Sequence, residues 1–206
     1  IISLSSYLEK MPETQKDIYY ISAETRSQAL ASPHLEGFKS KNIPILIMTD
    51  AIDQFWLPMI GSFKDKKFTS ITQGQINLDE LDEKNKDKKS VSKGQKEKQD
   101  KEFIDLIAQM KVVLGEQVKD IRLSSKLTDS PVCLVADDGD MDIAMEQLMA
   151  QRDTNYKGAP RILEINGDHS LIKNMKSLLS KKENNDLVSD AGTLLFEQAR
   201  LLEGKM

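Results

Sequence analysis

Apolar runs and polar stretches alternate along the chain in a way that marks its elements. Residues 17–22, "DIYYIS", and 43–50, "IPILIMTD", are β-type runs. The core of the second, "ILIM", is apolar at every position, as expected of a strand covered on both faces. Between them lie two helical stretches, "AETRSQALAS" and "SPHLEGFKSKN". Ser22 is predicted to cap the first, its hydroxyl accepting a bond from a free backbone N–H. Pro33 suits the first turn of the second, where a missing N–H costs nothing. Strand, helices and strand in that order predict a small βαβ-type unit with a parallel pair. "AIDQFWLPMI" then reads as a short helix, capped by Asp50 and disturbed at Pro58.

Residues 79–102 are almost all polar, with interleaved acids and lysines. Such a segment buries too little to offset its ordering entropy and reads as a solvated linker merging into a helix. A lysine-driven contact with nucleic acid is the weaker reading, because no aromatic residue interrupts the charges. "EFIDLIAQMKVVLG" resumes helical spacing and stops at Gly115. "VKDIRLSS" and "SPVCLVAD" read as two strands about the turn "KLTD", and "GDMDIAMEQLMAQRD" as a helix with Met141, Met145 and Met149 on one face. An extended piece and a helix starting near Asp168 follow. From residue 185 onward one amphipathic helix carries Leu187, Val188, Ala191, Leu194, Leu195, Gln198, Leu201 and Leu202 at three-and-four spacing, close to a coiled-coil seam. The fold class is therefore α/β (α+β): a small βαβ-type unit at 1–78, a charged linker at 79–102, and an α+β unit at 103–206 ending in helices.

Composition narrows what this fold can do. The chain has 206 residues and a net charge of −4, which disfavours nucleic acid as a general partner. Its single cysteine, Cys133, excludes an internal disulfide framework and fits a reducing compartment. No apolar run is long enough to span a bilayer. The opening residues lack a signal-peptide pattern and resemble the tail of a helix, which predicts an excised segment. No phosphate-binding glycine loop and no nucleophile motif is present. Asp137, Asp138, Asp140 and Asp142 cluster but lack the glycine and distal glutamate of a calcium loop, so they read as acids at a helix start. His34 and His169 read as structural, and Cys133, inside an apolar run, as unreactive.

Four stretches, "MPETQKDIYYIS", "SPHLEGFKSKNIPILIMTDAID", "LGEQVKDIRLSSKLTDSPVCLV" and "LEINGDHSLIK", together resemble the ninety-kilodalton heat-shock chaperone family, especially its bacterial members. They occur in the family's order over nearly the whole chain. The resemblance implies that 1–78 is the end of a middle domain and 103–206 a carboxy-terminal dimerisation domain lacking the final family helix. It implies no cofactor here, since ATP and Mg belong to an amino-terminal domain and the catalytic arginine lies upstream; this chain itself is then no enzyme. It also implies a cytoplasmic homodimer that holds unfolded client proteins and cooperates with a seventy-kilodalton-type chaperone through the middle domain.

The family's client contacts map onto Gln54 and Phe55, with Trp56 one place along, and onto Met141, Leu148 and Met149, with Met145 on the same face. The dimer seam maps onto Leu187, Ala191, Leu194, Leu195, Gln198, Leu201 and Leu202. Methionine is unbranched and polarisable, which suits a surface that must fit many apolar shapes. The same stripe also fits ordinary core packing. Two departures from the family pattern stand out. Gly167 replaces a proline, and the family cysteine is displaced by one residue to Cys133, which in a strand turns it to the opposite face. Two other functions fit the residues: an α/β ligand-binding or enzyme domain built on the βαβ unit, and a purely structural dimerisation module.

Overall fold

The computed structural model describes residues 2–78, 89–152, 158–180 and 182–204, with the backbone alone for 89–100 and 182. The chain divides into two compact units. The first comprises 1–83 together with 136–159, and the second 84–135 together with 160–206. Composition placed the boundaries at 78 and 103; the contacts add the excursion 136–159 to the first unit, which no composition shift announces. Residues 79–88 of the expected linker lie outside the described residues. Its remainder, from Lys89, is already helix.

The first unit holds a four-stranded sheet in the order β2-β1-β4-β3. Strand β1 (Ile18–Ser22) pairs in parallel with β2 (Leu46–Met48), as the βαβ reading requires, and also in parallel with β4 (Lys66–Ser70). Strand β3 (Ser62–Phe63) pairs antiparallel with β4. The tight turn between them places Lys64 and Asp65 at φ 48° and 63°, the two positive values of a type I′ hairpin. Alternation in β1 serves two cores. Tyr19 and Ile21 pack with Ala29, Leu35, Phe38 and Ile71 on one face. Ile18 and Tyr20 pack with Tyr7, Leu46, Leu57 and Phe68 on the other.

Helices α1 (Leu4–Lys10), α2 (Arg26–Ala31), α3 (Glu36–Ser40) and α4 (Asp53–Ile60) complete this part of the unit. The cap of α2 is Thr25, whose hydroxyl accepts from the Gln28 N–H at 3.2 Å, and not Ser22, which ends β1. A short 3₁₀ turn at Pro33–Leu35, capped by Ser32, precedes α3. Nor does Asp50 cap α4 directly. Ile52 holds that place, while Asp50 accepts from the Ile52 N–H and Asp53 from the Asp50 N–H in the turn before it. Pro58 sits inside α4, and Gly61, at φ 69°, ends it.

The second unit holds a three-stranded sheet in the order β5-β7-β6. The strands β5 (Val118–Leu123) and β6 (Val132–Val135) do not pair with each other. Strand β7 (Arg161–Ile165) lies between them, parallel to β5 and antiparallel to β6, and is buried along its whole length. Helices α5 (Lys89–Leu114), α7 (Ser170–Leu178) and α8 (Asn185–Leu202) cover one face. There Phe103, Leu106, Met110, Leu114, Leu163, Ile165, Ile172, Val188, Leu195 and Phe196 form a single core. Gly115, at φ 50°, ends α5 as its sequence suggests. His169 caps α7, its Nδ1 accepting from the Leu171 N–H at 3.1 Å.

The opposite face of this sheet buries a charge. Glu164 accepts from Arg122 Nη2 at 2.8 Å and Ser124 Oγ at 2.9 Å, and Lys126 Nζ lies 3.7 Å away. Cys133, buried beside it with Leu127 and Val135, directs its thiol toward Glu164 Oε2 at 3.9 Å. A buried carboxylate is tolerable only with such partners.

Candidate functional site

Two helices of the first unit carry the candidate residues: α4, and α6 (Ile143–Arg152), the helix of the 136–159 excursion. Helix α4 has two dissimilar sides. Leu57 is buried, and Trp56 is half-buried against Phe68 in an edge-on contact at 5.9 Å, its Nε1–H donating to Asp53 Oδ1 at 2.7 Å. Phe55, Met59 and Ile60, with Ile52 just before the helix, face solvent; Met59 is 85% exposed. The sequence-level candidates thus separate. Phe55 is offered outward, whereas most of Trp56 belongs to the core. Ile52, Met59 and Ile60 were not singled out, although the spacing of Ile52 and Met59 from Phe55 places those two on its helical side.

Helix α6 begins at Ile143, so Met141 precedes it and is not on its stripe. The reason is Asp142, which ends the irregular segment by capping the helix. Its Oδ1 accepts from the Ala144 N–H at 3.0 Å, and its carbonyl takes the Glu146 N–H. Met141 is 39% exposed, while Met145, Leu148 and Met149 are half-buried.

A polar clamp fixes the start of α6. Asp142 Oδ2 accepts from Ser70 Oγ at 2.5 Å and Thr72 Oγ1 at 2.8 Å, and these hydroxyls lie 2.8 Å apart. Gln73 Nε2 donates to the Asp140 carbonyl at 2.8 Å, with longer contacts to the carbonyls of Asp137 and Asp138. Backbone bonds from Ala136 to Thr72 and from Gly74 to Ala136 run alongside. Gly74 is at φ 68°, and a side chain there would collide with the Asp138 carboxylate. The aspartate cluster is thus a fastening and a cap. Among the described residues, no group of three or more His, Cys, Asp or Glu is placed to hold a metal ion. Burial, and secondarily the Asp142 charge, pushes the nearby Tyr20 hydroxyl up to about 12.

Between α6, the β2–α4 turn and the end of β1 lies a cleft of about 320 Å³. Ala23, Ala51, Ala144 and Leu148 supply its apolar surface; Glu24, Thr49, Asp50, Gln54, Gln147 and Gln151 supply its polar groups. Gln54 and Leu148, expected from separate stretches, therefore line one cavity. Phe55, Trp56, Met141, Met145 and Met149 do not line it.

In the second unit, α8 has two apolar sides that the sequence merges into one. Val188, Gly192, Leu195, Phe196 and Ala199 face the core. Leu187, Leu194 and Leu201 recur at seven-residue spacing and face outward with Gln198 and Leu202. Ala191 is half-buried at the edge. Leu195, counted in the expected dimer seam, is only 4% exposed, against 70% for Leu194, and so belongs to the interior.

Fold and surface together define a protein that displays apolar side chains outside the buried cores of its two units. The chain belongs to the Hsp90 family, whose description, "Hsp90 protein", matches residues 1–206. It is 39% identical over 207 residues to "Chaperone protein HtpG" of Roseobacter denitrificans, covering 100% of this chain and 33% of that protein. It is also 36% identical over 202 residues to the protein of that name from Streptomyces coelicolor, covering 98% and 31%, and 35% identical over 206 residues to that of Wolbachia pipientis, covering 100% and 32%. The chain thus spans about a third of the length of the curated relatives it matches. Among the described residues no helix is long and apolar enough to cross a membrane.

Proposed function

We propose that this chain supplies the client-holding and pairing parts of an HtpG-type chaperone. Unfolded segments dock on the first unit, on Phe55 and its exposed neighbours and in the cleft shared by Gln54 and Leu148. Met141, Met145 and Met149 extend that surface with side chains that adapt to varied apolar partners. Two copies pair through the outward row of α8, Leu187, Ala191, Leu194, Gln198, Leu201 and Leu202, because an apolar heptad row gains stability when a second helix covers it. ATP and Mg, a seventy-kilodalton-type partner and a cytoplasmic setting belong to the same reading of the parent protein. The observation that carries the proposal is the convergence of Gln54 and Leu148 on one cleft beside exposed apolar residues.

The test is suppression of aggregation of a heat-labile enzyme, run beside sedimentation of the chain over a range of concentrations. The expected result is a concentration-dependent dimer that suppresses aggregation. M141S/L148S/M149S should lose most of that suppression while keeping its thermal midpoint within a few degrees. A chain that dimerises without protecting the enzyme would instead be a structural pairing module.

A further inference from the structure

The lining of the α4–α6 cleft has a charge bias that the client-holding reading alone does not require. Among the described residues, its polar wall carries two carboxylates, Glu24 and Asp50, and three carboxamides, Gln54, Gln147 and Gln151, and no lysine or arginine. The apolar surface is mostly alanine, with Leu148 as its one large side chain. Small side chains leave room for a backbone to approach closely. Carboxamides both donate and accept, so they can meet the alternating N–H and C=O groups of an extended chain. Two carboxylates without a neighbouring cation in the lining favour a positive side chain in the occupant.

A hydrogen bond crosses the cleft. Gln151 Nε2, on the last turn of α6, donates to Glu24 Oε1 at 3.1 Å, and both residues are exposed. The Gln151 amide carries no charge of its own. An ammonium or guanidinium adds ion-pair attraction to its hydrogen bond, so a cationic side chain would displace the amide and open the cleft.

We propose that the α4–α6 cleft selects extended segments of unfolded protein in which a lysine or arginine adjoins a small or aliphatic residue, Glu24 and Asp50 receiving the cation and Leu148 its apolar neighbour. This rests on the client-holding reading above and names the class of segment that this cleft takes. Gln151 acts as an internal competitor for Glu24.

The test uses the 206-residue chain and three short fluorescein-labelled peptides, identical except that arginine, glutamine or glutamate alternates with leucine and alanine. Binding is followed by anisotropy at low and high salt. The arginine peptide should bind most tightly and lose its advantage at high salt. Glu24→Gln and Asp50→Asn each keep the shape and should each weaken the arginine peptide by about fivefold, while leaving the glutamine peptide unchanged. Gln151→Ala should strengthen the arginine peptide, a gain that general damage to the fold cannot produce. Leu148→Ser should weaken the arginine and glutamine peptides alike. If all three peptides bind equally and Glu24→Gln changes nothing, the charge selection is wrong while client holding stands. If no peptide binds and aggregation is not suppressed, both readings fall.

Discussion

Ser70 donates its hydroxyl to Asp142 across 2.5 Å, joining the end of β4 to the first turn of α6. The same carboxylate caps the helix and takes the Thr72 hydroxyl, so one side chain fastens and starts α6 together. Asp142→Ala should cost about 1–3 kcal/mol, the sum of a lost cap and two hydroxyls deprived of their acceptor. Hydrogen exchange is expected to accelerate in 143–152 well before it does in β1. Uniform exchange across the unit would mean that the clamp is not local.

Leu194 and Leu195 are neighbours in sequence and opposites in role. Leu195→Ala opens the core between α8 and α5 and should cost about 2–5 kcal/mol in urea unfolding. Leu194→Ser should leave unfolding of the dilute chain within about 0.5 kcal/mol, because the side chain is outside the core. Its effect should appear in sedimentation, as a dimer that forms only at higher concentration.

Glu164 is held by Arg122, Ser124 and Lys126 in the second unit. Glu164→Ala leaves the Lys126 ammonium, itself buried, without that partner, and is expected to cost about 3–5 kcal/mol. Lys126→Met should cost less, since it removes a buried charge and keeps the packing volume. Chemical denaturation of both variants gives the comparison.

Tyr20 sets an alkaline limit. Burial first, and the Asp142 charge second, raise its hydroxyl from 10.0 to about 12. The folded state therefore holds the proton more tightly than the unfolded chain does. Stability from this group is complete below pH 10 and declines as pH rises from 10 toward 12. Thermal midpoints measured across that window should fall for the native chain and fall less for Tyr20→Phe.

The elements legible in the sequence were those whose apolar pattern has one cause. The runs at 17–22 and 43–50 contain β1 and the shorter β2 because apolar residues of both cover the two faces of the sheet, and Gly115 and Pro33 act at helix ends through backbone geometry alone. The hairpin β3–β4 escaped notice because Lys66 and Lys67 interrupt its short apolar pattern. Helix α5 extends back to Lys89 because lysine, glutamate and glutamine are good helix formers even where no apolar stripe marks them. The candidate residues could be named from the sequence, but their arrangement could not. Two apolar faces on α8 overlap in sequence as one seam. The start of α6 hinges on Asp142, whose partners Ser70 and Thr72 lie in a distant stretch that no periodicity links to it.

The central place of β7 in the second sheet sets an order of events during synthesis. Neither β5 nor β6 has a partner when it leaves the ribosome; both wait until 161–165 arrives, after the whole detour through 136–159 has been made. For that interval the nascent chain carries two bare strand edges, the exposure that invites aggregation. A chain proposed to hold unfolded proteins is thus, in its own infancy, a candidate for rescue.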